Sequence, residues 1–446
     1  MKITFYGAVD GVTGSKYLLE SDDQKILIEC GLFQGNDIEE RKNWENFPFD
    51  PHELDTVIVT HSHIDHIGLL PKLVKDGFDK KIYSTDATRD FCNIFLPDSC
   101  NILNKDLSKD QMIYSVEDVN KTINLFEPLT YHHKVNIGKN IYLTFFDAGH
   151  ILGSAIVKIE VDGKIIIFSG DLGNPPVPII KDTEFIEDAN YVVLESTYGD
   201  RTHKLHHERK SELEKSIEDA YTKNGTILIP AFAMERTQEL LYELQDLILN
   251  NRIPKIPIYI DSPLAIKATN IYPKYIKYFD SEAKKTIKNK DHLFDFPNLK
   301  IINNVAESKQ IDYDNNPKII IAGSGMSTGG RILFHEKAFL PNPSTTLLIV
   351  GYQVDGTVGR QLQDGAKTVN ILNQKVNVRA EIRTLNSYSA HADQPKLLHW
   401  LKQNKKISHV FLVHGEDNAK KTLKSKIQDQ LGYQTSIPKL GESFIL

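Results

Sequence analysis

The sequence predicts an α/β chain of 446 residues in which one domain is interrupted by a second. Up to residue 204, short apolar runs with turn residues between them predict a strand-rich region. From Leu205 to Leu385, predicted strands alternate with predicted helices, a pattern typical of βαβ units and an open parallel sheet. From Asn386 onward the first pattern returns. We therefore assign 1–204 and 386–446 to one domain and 205–385 to the inserted domain.

The elements of the first region follow from residue type and spacing. Runs of β-branched and aromatic residues predict eight strands. Two of them are apolar without alternation, at Val57–Val59 and Ile165–Phe168, which indicates strands buried on both faces, with helices packed over them. The predicted strands are Lys2–Tyr6, Lys16–Leu19, Lys25–Glu29, Thr56–Thr60, Ile141–Phe146, Ala155–Val161, Lys164–Phe168 and Tyr191–Glu195.

The later regions contain amphipathic helices between apolar strands. In the inserted domain we predict the helices His207–Lys223 and Glu235–Leu249, helical segments to about Lys290, and the strands Thr226–Pro230, Ile256–Ile260, Lys318–Ala322 and Thr346–Val350. In the last region we predict the helix Gln394–Gln403, the strand Val410–Val413 and the helix Asn418–Leu431.

Composition narrows the class of function. The net charge of -6, with histidine neutral, differs from that of typical nucleic-acid-binding domains, which are basic. A metal pair and a local basic groove nevertheless attract phosphates on an acidic surface. Three cysteines without a CxxC pair exclude a disulfide framework and a cysteine zinc site, and they indicate a reducing compartment. No apolar run has the length of a signal peptide or a membrane span, so we expect a cytoplasmic protein without membrane contact.

The strongest chemical signal is the cluster His61-Ser62-His63-Ile64-Asp65-His66, directly after the apolar strand Thr56–Thr60. Its four donors are of the kinds that catalytic zinc sites use. His150 and Asp171 also follow predicted strands, and ligand-binding groups gather at strand ends in sheet proteins. A carboxylate such as Asp171 can bridge two ions.

The motifs of the chain, in their order, closely resemble those of the β-CASP nucleases of the metallo-β-lactamase superfamily, over essentially the whole length. They are the His61–His66 cluster with His150 and Asp171, Leu194-Glu195-Ser196-Thr197-Tyr198-Gly199, Pro230-Ala231-Phe232-Ala233 with Arg236, the segment Gly323–Arg331, Ser389-Ala390-His391-Ala392-Asp393, and Val413-His414-Gly415-Glu416. The branch it looks most like contains the endonuclease subunit of the eukaryotic cleavage and polyadenylation factor and its prokaryotic relatives. One departure is Glu29 where the family usually has Asp, and its extra methylene is expected to shift the packing behind the metal loop.

This resemblance implies an αββα metallo-β-lactamase sandwich with an inserted β-CASP domain of parallel-sheet α/β type. It implies two zinc ions, one held by His61, His63, His150 and Asp171 and the other by Asp65, His66, Asp171 and His414. Glu195 matches the acidic residue that orients His391, and His391 matches the proposed general acid. The implied reaction is hydrolysis of RNA phosphodiester bonds by a hydroxide that bridges the two ions and is oriented by Asp65.

The implied partner is single-stranded RNA, which the protein is expected to cut internally. An additional 5′-exonuclease activity and the formation of a homodimer are both left open. The loop Gly323–Arg331, with Ser327, Thr328 and Arg331, is a candidate to hold an RNA phosphate through backbone N–H groups, against the alternative of a plain βα turn. Further phosphate-contact candidates are Arg236, Ser389 and Gly415. Three other functions stay open: a small-molecule hydrolase of the same superfamily, a catalytically silent RNA-binding scaffold, and a nuclease that cuts DNA.

Overall fold

The computed structural model describes residues 1–21, 23–35, 37–105, 107–108, 111–203, 209–289, 293–385 and 388–446. The predicted boundary residues Leu205 and Asn386 and the predicted helix start at His207 lie outside these ranges. The chain forms two compact units. The first unit comprises Met1–Pro175, Lys181–Thr202 and His391–Leu446, and the second comprises Pro176–Ile180 and His203–Ala390.

The helices and strands are numbered in chain order. The strands are β1 (Lys2–Phe5), β2 (Tyr17–Ser21), β3 (Gln24–Ile28), β4 (Thr56–Ile58), β5 (Lys81–Thr85), β6 (Phe126–Leu129), β7 (Val135–Gly138), β8 (Ile141–Asp147), β9 (Ala155–Val161), β10 (Lys164–Phe168), β11 (Tyr191–Glu195), β12 (Thr226–Pro230), β13 (Ile258–Ile260), β14 (Leu299–Ile301), β15 (Lys318–Ala322), β16 (Thr346–Ile349), β17 (Thr368–Ile371), β18 (Gln374–Asn377), β19 (Glu381–Thr384), β20 (His409–Val413), β21 (Gln434–Ser436) and β22 (Ser443–Ile445). The α-helices are α1 (Asp37–Arg41), α2 (Ile64–Ile67), α3 (Leu70–Lys75), α4 (Asp86–Leu103), α5 (Val116–Asn124), α6 (Arg209–Thr222), α7 (Arg236–Leu249), α8 (Pro263–Thr269), α9 (Ser281–Asn289), α10 (Val305–Tyr313), α11 (Ile332–Phe339), α12 (Val358–Gln363), α13 (Gln394–Lys402) and α14 (Asp417–Leu431). Short 3-10 helices cover Lys42–Trp44, Pro51–Glu53 and Tyr272–Tyr278.

The first unit contains two seven-stranded sheets, in the orders β22-β1-β2-β3-β4-β5-β6 and β21-β20-β11-β10-β9-β8-β7. Alternate residues of both sheets form one apolar core: Ile26 and Ile28 of β3 meet Ile166 and Phe168 of β10. The intervening residues of the second sheet, such as Ile167, join a separate core with α13 and α14. Because successive side chains in a strand point to opposite faces, a strand between two cores must be apolar throughout. The predicted burial of these strands on both faces is confirmed, but helices cover only one face, and the other face packs on the first sheet.

Strand direction brings several strand ends to one edge of the first unit. In the first sheet β3 and β4 are parallel. In the second sheet β10, β11 and β20 are mutually parallel, and β8 runs the same way because both β8 and β10 are antiparallel to β9. The carboxyl ends of β8, β10, β11 and β20 therefore lie along the same edge of this sheet.

The second unit is built on a six-stranded sheet in the order β14-β13-β15-β12-β16-β19. All of its pairings are parallel, which confirms the predicted open parallel sheet. One face packs on α10, α11, α12 and the β17–β18 hairpin, with Leu228, Ile320 and Leu347 in the core. The strand predicted to begin at Ile256 begins at Ile258, since Pro257 has no N–H for the ladder.

Candidate metal centre

The densest group of metal donors lies in the loop after β4 and in the short helix α2. His61 and His63 precede the helix, and His63 is its N-cap residue with extended backbone. Asp65 and His66 lie within it. The neighbouring loop packs closely on this segment: a Cβ on Gly31 would lie 1.6 Å from the Asp65 carbonyl oxygen. Only glycine fits there, and the close approach fixes the donors' backbone.

The remaining donors stand at the shared edge of the second sheet. His150 follows β8, Asp171 follows β10, and His414 directly follows β20. Each donor is 4% exposed or less, so these strand ends are buried. Buried polar groups at converging strand ends require partners, and here they face the loop of the first sheet.

Four donors form a first group around a common centre. His61 Nε2 lies 3.1 Å from His63 Nδ1 and 3.4 Å from Asp171 Oδ2. His150 Nε2 lies 3.3 Å from His63 Nδ1 and 3.5 Å from Asp171 Oδ2. Four donors arranged tetrahedrally at about 2.0–2.1 Å from an ion lie about 3.3–3.4 Å from one another. The donor spacing therefore fits a four-coordinate metal ion.

A second group uses the other oxygen of Asp171. His66 Nε2 lies 3.5 Å from Asp171 Oδ1, 3.3 Å from His414 Nε2 and 3.8 Å from Asp65 Oδ2. His414 Nε2 lies 3.3 Å from Asp65 Oδ2. Within the described chain, Asp171 Oδ1 is buried and has no hydrogen-bond partner. An orphaned buried carboxylate oxygen is costly, and a cation beside it would compensate for its lost hydration.

Electrostatics also favours a cation at this place. Burial lowers the pKa of His61 to about 3 and that of His63 to about 4, so both imidazoles are neutral near pH 7 and have a lone pair to offer. Burial would lower the pKa of His66 too, but the charges of Asp171, Asp65 and Glu29 raise it to about 10. The carboxylates thus attract positive charge to the second group.

Two threonine side chains orient imidazoles of the metal centre from behind. Thr60 Oγ1 lies 2.9 Å from His61 Nδ1, and Thr197 Oγ1 lies 3.1 Å from His414 Nδ1. The Thr197 hydroxyl also lies 3.2 Å from the His414 carbonyl, to which it donates, so it accepts from Nδ1–H. Nε2 of His414 then carries the lone pair. Partners of this kind hold metal-binding histidines in the right tautomer. Neither threonine was predicted to have a role, although Thr197 lies within the motif Leu194–Gly199 and Thr60 directly precedes the His61–His66 cluster.

Glu29 supports His66 from the same side. Its Oε1 lies 3.4 Å from His66 Nδ1 and accepts a hydrogen bond from the Thr60 N–H at 3.1 Å. The side chain is 1% exposed, and burial raises its pKa. The longer side chain expected to shift this packing therefore still reaches the metal loop.

A further pair, His391 and Glu195, adjoins the first group. His391 Nδ1 lies 3.2 Å from Glu195 Oε1. Glu195 is fixed by N–H donors from Leu172 at 2.8 Å and Thr197 at 3.2 Å. Burial lowers the pKa of His391, but the charges of Glu195 and Asp171 outweigh it and raise that pKa to about 9. Such a pair can hold a proton in place for transfer.

The phosphate-contact candidates of the second unit are engaged within that unit. Ser327 is 1% exposed and donates to Glu336 Oε1 at 2.5 Å, and Arg331 pairs with Asp261. Thr328 is exposed. Their roles toward a phosphate stay predictions.

Arg236, Ser389 and Gly415 are also predicted contacts. Arg236 is 3% exposed and forms an ion pair with Glu239 one helical turn away. Ser389 is 5% exposed. Gly415 belongs to the first unit, where its N–H donates to the Gly11 carbonyl at 3.1 Å. These internal bonds do not add support for RNA contact.

The fold and donor set together define an α/β protein with a divalent-metal site. Family models match in succession: a metallo-beta-lactamase superfamily domain at residues 18–182, a Beta-Casp domain at 237–362, and a Zn-dependent metallo-hydrolase RNA specificity domain at 375–438. The chain is 37% identical over 442 residues to a protein named ribonuclease TTHA0252 of Thermus thermophilus, covering 99% of each chain. It is 31% identical to an RNase J-like protein of Methanocaldococcus jannaschii, covering 98% of each.

The chain belongs to the β-CASP family of the metallo-β-lactamase superfamily, which confirms the predicted family and fold class. A crystal structure of a protein of unknown function from Enterococcus faecalis V583 is similar in fold, with a TM-score of 0.56 at 11% identity, over 100% of this chain and 99% of that one. Among the described residues, no helix is both long and apolar enough to cross a membrane.

Proposed function

We propose that this protein is a metal-dependent ribonuclease that holds two zinc ions and hydrolyses phosphodiester bonds of single-stranded RNA. The observation that carries the proposal is the placement of Asp171, whose Oδ2 faces the imidazoles of His61 and His150 and whose Oδ1 faces His66. A carboxylate shared in this way suits two ions a few ångströms apart. Imidazole and carboxylate donors at tetrahedral spacing favour zinc.

The side chains divide into two holding groups and a proton-transfer pair. His61, His63 and His150 would hold the first ion, and Asp65, His66 and His414 the second, with Asp171 between them. When bound, two divalent ions lower the pKa of a water molecule and neutralise charge on phosphodiester oxygens. Asp65 has a side chain 19% exposed, against 3% for His66 and 5% for His414. It is therefore the donor of that group best placed to orient an attacking water.

His391 would act as the general acid. Its Nδ1 is directed at Glu195, so Nε2 is the nitrogen from which a proton would pass to the departing ribose oxygen. Its side chain is 16% exposed, which leaves access for a substrate. Glu195 would act through His391, by fixing the ring and favouring its protonated form.

RNA as substrate is supported by the names of similar proteins and by the description of one matching family model. Relatives matched over nearly the full chain carry the names ribonuclease and RNase J-like protein. The family model at residues 375–438, which includes His391 and His414, is described as an RNA specificity domain.

A cytoplasmic location is part of the proposal and is supported by three cysteines that are all free and buried. A homodimer stays a prediction that light scattering would test.

The test combines metal analysis with cleavage of a defined single-stranded RNA. We expect two zinc ions per chain, cleavage that a chelator abolishes and added zinc restores, and little action on DNA of the same sequence. Matched substrates with a 5′-triphosphate or a 5′-monophosphate separate internal cutting, equal on both, from 5′-exonuclease action, which requires the monophosphate. RNA binding without cleavage by a zinc-loaded sample would indicate a scaffold and contradict the proposal.

A further inference from the structure

We propose that the loop Ala8–Ser15, between β1 and β2, is a positioning element for the second metal ion, the one assigned to Asp65, His66 and His414. This inference rests on the proposed function because it requires two ions. The loop contributes no donor to either group and acts through backbone hydrogen bonds.

His414 has a positive φ of 50°, in the left-handed region that residues with a Cβ rarely adopt. Such a conformation persists only where the surroundings enforce it. The loop supplies part of that enforcement: the His414 N–H donates to the Ala8 carbonyl at 2.7 Å, and the Gly415 N–H donates to the Gly11 carbonyl at 3.1 Å. The turn that aims His414 is therefore attached to the loop on both sides of its Cα.

A buried lysine strengthens this attachment. Lys420 Nζ, in α14, donates to the Val9 carbonyl, and Lys420 is 2% exposed. The carbonyls of Ala8, Val9 and Gly11 thus all accept hydrogen bonds from the segment that begins at His414. The loop is therefore bound to that segment by hydrogen bonds.

The other end of the loop holds a second donor. The Ser15 N–H donates to the Asp65 carbonyl at 2.9 Å, and the Ser15 carbonyl accepts from the Gly31 N–H at 2.9 Å. One loop therefore joins the backbones of Asp65 and His414, whose side chains lie 3.3 Å apart. Displacing it would alter the distance between two donors of the same ion.

The first group of donors is held by other parts of the chain. The backbone hydrogen bonds that join the Ala8–Ser15 loop to the metal centre go to Asp65, His414 and Gly415, and none of them goes to His61, His63, His150 or Asp171. His61 is oriented by Thr60, and the His150 N–H donates to Ser154 Oγ at 3.1 Å. The loop is thereby selective for the second ion.

Gly14 offers a way to move the loop, with a matched control elsewhere in the same unit. Gly14 has φ +77°, and a Cβ there would lie 2.4 Å from the Phe33 ring. Gly163, in the turn between β9 and β10, has φ +71° and nothing within 4 Å of a Cβ. Gly14→Ala and Gly163→Ala introduce similar backbone strain, but only the first creates a clash that the loop or the Phe33 ring must move to relieve.

The experiment loads wild type and both variants with zinc and removes the metal with chelators of increasing affinity. Bound zinc is counted by mass spectrometry, and the ion that remains is located by anomalous X-ray diffraction. Wild type and Gly163→Ala are expected to hold two ions with equal affinity. Gly14→Ala is expected to bind the second ion about 10- to 100-fold more weakly and the first ion unchanged.

Wild type holding fewer than two ions overturns the proposed function, whereas unchanged affinities in Gly14→Ala overturn only this inference. Equal weakening of both ions also overturns it, because the loop would then lack selectivity. If Gly14→Ala fails to fold, Thr13→Ala takes its place: Thr13 Oγ1 donates to the Gln34 carbonyl and accepts from its N–H, both at 3.2 Å. Thr13→Ser must then restore the second ion.

Discussion

Replacing Thr60 by valine isolates one hydrogen bond behind the first metal ion. Valine keeps the branched shape of threonine and removes only the hydroxyl. Thr60 is 1% exposed, and its Oγ1 lies 2.9 Å from His61 Nδ1. For His61 to bind a metal through Nε2, its Nδ1 must carry the proton and needs an acceptor. In Thr60→Val that acceptor is gone.

The magnitude follows from the burial of His61, which is 0% exposed. A buried N–H without an acceptor costs about 1–3 kcal/mol. In the metal-free protein the ring can avoid this cost by moving its proton to Nε2, so the cost falls on metal binding. At about 1.4 kcal/mol for each factor of ten, the first ion should bind roughly 5- to 150-fold more weakly.

The assay is chelator competition with zinc, read separately for the two ions, with Thr60→Ser as the control that keeps a hydroxyl. We expect Thr60→Ser to match wild type and Thr60→Val to lose affinity for the ion at His61, His63 and His150 only. Equal affinities in the valine and serine variants would refute the reasoning, since the hydroxyl would then have no part in setting the tautomer.

Three further predictions address catalysis, pH dependence and packing. His391→Ala should keep its zinc and lose at least about a hundredfold in RNA cleavage rate, and near-normal cleavage by the zinc-loaded variant would remove His391 from the acid role. Burial raises the pKa of Glu336 to about 7 from an ordinary 4.5, so its protonated form stabilises the fold. This stabilisation of about 3 kcal/mol is complete below pH 4.5 and is lost as pH rises through 7. In urea unfolding between pH 4.5 and 8, Glu336→Gln should remove that slope, and an unchanged slope would contradict the assignment. Leu228→Ala, at a fully buried position in the six-stranded sheet, should lower the unfolding free energy by about 2–5 kcal/mol in urea, and a loss below about 1 kcal/mol would show a loosely packed site.

The predicted strands stand out in the sequence because the sheets impose their burial, whereas β5, β6, β7, β14, β17, β18, β19, β21 and β22 were not predicted. In the second sheet Ile166 faces one core and Ile167 the other, so the run is apolar at every position and stands out in the sequence. The helices α3, α4 and α5 were not predicted. Helix α4 buries Phe91 and Phe95 at helical spacing and is capped by Thr85, but Pro97 lies inside it and disrupts the local signal for a helix.

Four of the candidate metal donors were predictable because they stand within six residues, whereas the role of His414 was assigned only through the resemblance. The environment of the candidate phosphate contacts was not, since it depends on partners distant in sequence. Arg331 pairs with Asp261, which is 70 positions away, and only the sheet of the second unit brings them together. The partner of Arg236, by contrast, lies at i+3 on α7, where a helical pattern would have suggested it.

The distance along the chain between the candidate metal donors determines how early in protein synthesis the second metal site can form. His66 and His414 are 348 positions apart, and β20, which places His414, pairs with β11 from the early part of the chain. A ribosome must therefore translate past residue 414 before the second ion can be held. If both ions are needed for RNA cleavage, as the proposed function requires, the nascent polypeptide cannot cut its own messenger RNA until most of that messenger has been translated.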